Sequence, residues 1–198
     1  MTIQGINSIQ GINSITLAGV IYAKWDAFNK SADIILSGGD LVASNANGNS
    51  GSVRSTIGKN SGKWYWEIAL TAIDNSSWGI GVGNSSAILT TYPGFDTNGW
   101  GEWFGTNPDE KITNNSLSAY GSSDAATSNV IGILLNMTDG EISFRLNNTD
   151  IGVAFTGLTG TIYAMVGNNN ALFTATANFG EGPFVHPVPV GYNAGLFN

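Results

Sequence analysis

The chain has 198 residues, of which 42% are hydrophobic and only 11% charged, against about a quarter charged in a typical domain. That length suits one domain, or one domain plus a short extension, with a core large enough to need neither disulfide nor metal. Fourteen Asp and Glu against seven Lys and Arg give a net charge of −7, which all but excludes phosphate-neutralising nucleic-acid binding and argues against anionic membranes.

The N-terminus repeats itself: Ile3-Gln4-Gly5-Ile6-Asn7-Ser8 recurs as Ile9-Gln10-Gly11-Ile12-Asn13-Ser14, and Ile15 opens a third copy that decays. Isoleucines at 3, 6, 9, 12 and 15 match neither the alternation of a strand nor the 3.6-residue period of a helix. An extended winding with one apolar side in three fits them. Two copies cannot bury that stripe within one chain, because repeat units need stacked neighbours. The segment 1–22 therefore reads as an assembly or attachment device, and a locally packed strand or leader is the plainer alternative. It has neither the basic start nor the apolar run of a secretory signal, and no stretch approaches the roughly 18 apolar residues that span a bilayer.

From Trp25 the pattern changes to strands. Trp64-Tyr65-Trp66-Glu67-Ile68-Ala69-Leu70 alternates, with Trp64, Trp66, Ile68 and Leu70 on one face. Val130–Leu135 is a nearly continuous apolar run and predicts a central strand covered on both faces. Asp139-Gly140 marks a turn, after which Ile142, Phe144 and Leu146 point inward and Glu141, Ser143 and Arg145 outward. Asn147-Asn148 turns again into Ile151–Phe155, and 161–166 and 172–179 supply two more strands. No window shows capped helical periodicity. Many short strands separated by turns predict an all-β sandwich or barrel over residues 23–198.

These residues resemble a SPRY domain. The resemblance rests on Gly62-Lys63-Trp64-Tyr65-Trp66-Glu67, then Val130-Ile131-Gly132-Ile133-Leu134-Leu135, then Gly140-Glu141-Ile142-Ser143-Phe144. It continues through Gly152-Val153-Ala154-Phe155 to Asn178-Phe179-Gly180 and Pro183-Phe184, with Val53-Arg54-Ser55-Thr56 upstream. The motifs are colinear across roughly residues 25 to 198. Asn129 and Asn148 depart from the family's usual Asp and Gly, but both tolerate turn conformations. The resemblance implies a concanavalin-like sandwich of two curved antiparallel sheets, a recognition module that binds partners through loops at one end and has no catalytic residues.

The richest loop candidate runs from Tyr92 to Phe104. Within it Tyr92, Phe95, Asp96, Asn98, Trp100, Glu102 and Trp103 combine aromatic faces with directional hydrogen-bonding groups, a mixture suited to a sugar or a peptide. Plain packing is the competing reading, above all for Trp100 and Trp103. Trp78-Gly79-Ile80-Gly81-Val82-Gly83 fails as a phosphate loop because its glycines alternate along a strand and no helix follows. Asp109-Glu110 and Asp139 with Glu141 are carboxylate pairs of the kind glycosidases use, yet a turn and a solvent face explain Asp139 and Glu141. Scattered Asp and Asn oxygens lack the spacing of a calcium loop. With no cysteine and one histidine, His186 between Val185 and Pro187, neither thiol nor zinc chemistry has a constellation. No cofactor or metal is expected.

The surface resembles that of SPRY domains in bacteriophage and bacterial surface proteins. The leading expectation is a virion fibre, spike or decoration subunit, located in the virion. Its N-terminal segment would contact other virion proteins and form a homo-oligomer, with a trimer favoured, while its head contacts a host-surface glycan or protein. The alternative is a stand-alone bacterial module, lectin-like or peptide-binding, in the cytoplasm or on the cell surface.

Overall fold

The computed structural model describes residues 19–73, 78–104, 110–121 and 129–198. The repeat with Ile3, Ile6, Ile9, Ile12 and Ile15 lies outside the described residues, as does Asp109. Four strands come first: β1 (Trp25–Lys30), β2 (Ile35–Ser37), β3 (Val42–Asn45) and β4 (Gly51–Lys59). Five follow: β5 (Lys63–Ile73), β6 (Trp78–Gly83), β7 (Gly99–Phe104), β8 (Glu110–Thr113) and β9 (Ser116–Ala119). The last six are β10 (Val130–Asn136), β11 (Glu141–Leu146), β12 (Thr149–Phe155), β13 (Ile162–Asn168), β14 (Phe173–Asn178) and β15 (Asn193–Ala194). No helix occurs among the described residues.

The strands make two sheets, one ordered β1-β4-β13-β6-β7-β8-β9 and the other β12-β11-β10-β5-β14-β3-β2. Neighbours along both paths run antiparallel, and β15 adds to β5 in parallel. This is one of the two all-β architectures that the alternation predicts, and the sandwich that the resemblance implies. Trp66, Ile68 and Leu70 of β5 are buried between the sheets, beside Ile131, Ile133 and Leu135 of β10 and Ile142 and Phe144 of β11. β10 sits between β5 and β11. On its outer side Gly132 leaves room for the Tyr65 ring, which would lie 2.9 Å from any Cβ placed there. Asn136 shapes the following turn by accepting from the amides of Thr138 and Asp139 at 3.2 Å, and Gly140 takes a φ of 69°. The two sheets are joined at one corner by Trp25, whose ring meets Phe179 edge-on at 5.1 Å and whose Nε1 donates to the Leu41 carbonyl.

Residues 21 and 22, just ahead of residue 23, also contact the C-terminal end. Tyr22 bridges to Phe197, and the Ile21 carbonyl accepts from Asn198 at 3.0 Å. The C-terminal residues 183–194 form a strap over the outer face of the larger sheet. There Glu67, 2% exposed, accepts from the amides of Val185 and His186 and from the Tyr65 hydroxyl, all at 2.8 Å. Phe184 packs edge-on against Tyr65.

Burial pushes the Tyr65 phenol well above its ordinary 10.0, and the hydrogen bond to the Glu67 carboxylate pushes it further. Burial likewise raises Tyr120, with the nearby Glu102 charge adding to it. Both groups stay protonated in the fold at a pH where the unfolded chain ionises them. The stability they contribute is therefore present below about pH 10 and lost as pH rises above it. An alkaline titration should show these two tyrosinates emerging together with loss of the fold rather than before it; normal titration of the native protein would refute this.

Candidate functional site

The loop from Asn84 to Asn98 lies flat on the outer face of the smaller sheet, and the sequence of β6 explains why. Ile80 and Val82 point into the core, fully buried, so Gly79, Gly81 and Gly83 fall on the outer side. A Cβ on Gly83 would meet the Met165 sulfur at 2.5 Å and Ala87 at 2.9 Å, and one on Gly79 would approach Trp103 at 3.5 Å. The loop is thus seated where side chains are missing. The Tyr92 and Trp103 rings meet at a tilt with centroids 4.5 Å apart and form a small second core with Ile112. The Tyr92 hydroxyl donates to Asn115 Oδ1 at 2.5 Å. Tyr92→Phe removes that one bond and should cost about 1 kcal/mol in urea unfolding, with the loop otherwise in place.

A chain of hydrogen bonds ties this loop to β1. Asp26 accepts from the Phe28 amide and from Asn29 Nδ2, each at 2.8 Å. Asn29 Oδ1 accepts from Arg54 Nη2 at 2.5 Å, and Arg54 Nη1 donates to the Ser85 carbonyl at 2.6 Å. The guanidinium lies 5.4 Å from the centre of the Tyr163 ring. Asn84 donates to Asn98 Oδ1 at 3.0 Å, while Asp96 accepts from the amides of Asn98 and Ile88 at 2.9 and 3.0 Å. Three apolar side chains stand out of this frame: Phe28 is 96% exposed, Ile88 44% and Phe95 40%. Solvated apolar groups beside a fixed polar frame have the composition of an interaction surface.

The seven loop residues singled out by sequence separate into two groups. Phe95 is exposed, and Asp96 and Asn98 are half-buried within the network. Tyr92 and Trp103 are buried in the small core, and Trp100 is half-buried against the main one. Glu102, opposite Ile80 in register, is fully buried on the inner side of β7. These four therefore serve packing in this conformation. Phe28, Asn29, Arg54, Asn84 and Ile88 belong to the site and were not singled out from the sequence. For Phe28 alternation carried no signal: the register of β1 shifts between Trp25 and Lys30, and Ala27, of Trp25's parity, is exposed as well.

The remaining candidates have local explanations. Asp139 accepts from Asn136 and faces Lys63 at 3.6 Å, and Glu141 is half-buried on the outer side of β11. His186 uses its amide to bind Glu67. Among the described residues, no three His, Asp or Glu side chains are grouped to hold a metal ion.

Fold and site together define a β-sandwich recognition domain. The SPRY domain family matches residues 63–181, and the chain belongs to that family. Ran-binding protein 9 of Xenopus tropicalis is 30% identical over 140 residues, covering 69% of this chain and 25% of that protein. The Drosophila melanogaster Ran-binding proteins 9/10 homolog is 27% identical over 124 residues, 62% of this chain and 13% of that protein. The chain thus spans a quarter or less of the length of these relatives. Among solved structures, the SPRY domain of human HERC1 superposes with a TM-score of 0.66 at 16% identity, over 77% of this chain and 96% of that one. Stonustoxin does so at 0.62 and 17%, over 80% of this chain and 27% of that one. At such identities these two structures speak to the fold alone.

Proposed function

We propose that the chain is a non-catalytic binding module that takes a segment of a partner protein on the face carrying Phe28, Ile88 and Phe95. The single observation that carries this reading is Phe28, an almost fully solvated phenylalanine whose backbone amide is held by the Asp26 carboxylate. With the backbone already held, only the ring's own torsions remain to be ordered on contact. Membership of the SPRY family supports it, as do relatives whose names state that they bind another protein. Of the loop residues read from sequence, Phe95, Asp96 and Asn98 take part; the others support them from beneath. The test is selection of a displayed library of random linear peptides on the immobilised protein. Peptides should be enriched, and a Phe28→Ser, Ile88→Ser double variant should bind them at least about tenfold more weakly. No enrichment, or enrichment indifferent to the two substitutions, would overturn the reading.

A second reading concerns the N-terminal repeat, and the isoleucine period of three is what favours it. In it, Ile3, Ile6, Ile9, Ile12 and Ile15 bundle several copies into a discrete oligomer, the layout of a virion fibre, spike or decoration subunit whose head meets a host-surface protein or glycan. The eukaryotic relatives found lend the general module more support than the virion role. Light-scattering mass should fall from a discrete oligomer to a monomer when residues 1–18 are removed; a monomer in both cases would discard the assembly role.

A further inference from the structure

Among the described residues, the Arg54 cation has no counter-ion. The other guanidinium of the chain, Arg145, is paired with Asp150, and Lys63 faces Asp139. Lys59 lies over the Trp64 ring, and Lys111 donates to the Ala154 carbonyl at 2.6 Å. Arg54 meets only neutral groups among the described residues: the Asn29 side-chain oxygen, the carbonyls of Asn84 and Ser85, and the Tyr163 ring. Asp26 reaches it only at one remove, through Asn29. Its Nε makes no hydrogen bond among the described residues, and Arg54 is only half-buried. The donor fork is therefore oriented, partly desolvated and still short of the anion for which its geometry is suited.

Two exposed apolar side chains belong to the segments that hold that fork. Phe28 adjoins Asn29, which fixes one arm of the guanidinium, and Ile88 follows three residues after Ser85, which fixes the other. We propose that Arg54, Phe28 and Ile88 together form a subsite for a linear peptide segment of a partner protein in which a carboxylate side chain is neighboured by apolar residues. The carboxylate takes the guanidinium, and the apolar neighbours cover Phe28 and Ile88. This rests on the protein-binding reading given above and specifies the partner's chemistry. The chain's net charge of −7 does not oppose it at contact range, since charges beyond about 8 Å are screened at physiological salt.

The experiment selects the same displayed peptide library on the wild-type protein and on Arg54→Gln, Arg54→Lys and Phe28→Ala variants. Leading peptides are then synthesised with each Asp or Glu retained or replaced by its amide, and binding is read by fluorescence anisotropy at low and high salt. The wild type should enrich acidic-apolar peptides that bind at least about tenfold more weakly after amide replacement, after Arg54→Gln and after Phe28→Ala. Arg54→Lys should recover part of the loss, because it restores the charge without the fork, and high salt should weaken wild-type binding more than Arg54→Gln binding. Enriched peptides that are neutral or basic, or that bind Arg54→Gln as well as wild type, overturn the acidic assignment while the binding module stands. No enriched peptide on any protein overturns both. Because Arg54 also ties β1 to the loop, a melting curve accompanies each variant, and Phe28→Ala keeps the test open should Arg54→Gln unfold: Phe28 is solvated and its loss cannot empty a core.

Discussion

Replacing Glu67 by alanine should lower stability by about 4 kcal/mol and free the C-terminal strap from the larger sheet. The carboxylate is buried and accepts three hydrogen bonds, two from the strap's own amides and one from Tyr65. Without it, two backbone donors and a phenol remain buried with nothing to accept from them. Glu67→Gln keeps a single carbonyl oxygen and turns the other position into a donor facing donors, so it should cost about 2 kcal/mol. In a domain of this size the alanine variant should melt roughly 10 °C lower. Hydrogen exchange should show the amides of Val185 and His186 losing protection while β10 and β11 keep theirs. Unchanged protection at 185 and 186 would show that the strap is held by Phe184 and β15 instead.

Gly81→Val should cost about 3 kcal/mol and should act on the binding face as well as on stability. A Cβ at Gly81 would fall onto the Trp100 carbonyl and within 2.6 Å of the Gly101 Cα on the adjacent strand. The side chain has no flexible neighbour to push aside, only backbone, so β6 and β7 must separate where Gly81 faces Gly101. The loop from Asn84 to Asn98 begins and ends on those two strands. Peptide binding should therefore fall together with the melting temperature. At Thr149, an exposed position on β12, Thr149→Val leaves both strands untouched and should change stability by less than about 0.5 kcal/mol. Equal tolerance at the two positions would refute the close approach.

How far the sequence could be read depended on how many sides of an element are covered by neighbours close in the chain. β5, β10 and β11 were legible, because a strand with one face in the core shows it as alternation and the most central one as a continuous apolar run. The turn at Asp139-Gly140 was legible for the same local reason: Gly140 adopts the positive φ that glycine accepts freely. The segment around β7 was harder. Trp100 and Glu102 share one parity and Trp103 the other, and both parities are covered, one by the main core and one by the protein's own loop. Alternation carries no sign of exposure when both faces are buried, so a run of aromatics and carboxylates reads equally as a ligand site or as packing.

What the sequence by itself determined is therefore the strand pattern, the absence of cysteine and clustered histidine chemistry, the low charge, and the motifs that mark a SPRY sandwich. Those properties follow from residue type and near-neighbour spacing. The tertiary structure alone decided which polar groups are buried and which apolar ones are not. Glu67 looks like an ordinary outward carboxylate until a strap from 118 residues later in the chain closes over it. Arg54 and Asn29 are 25 residues apart, and Arg54 and Ser85 31 apart, so the frame around Phe28 exists only once β1, β4 and the β6–β7 loop are brought together. Hydrogen bonds act over about 3 Å, and only folding sets which distant residues come within that reach.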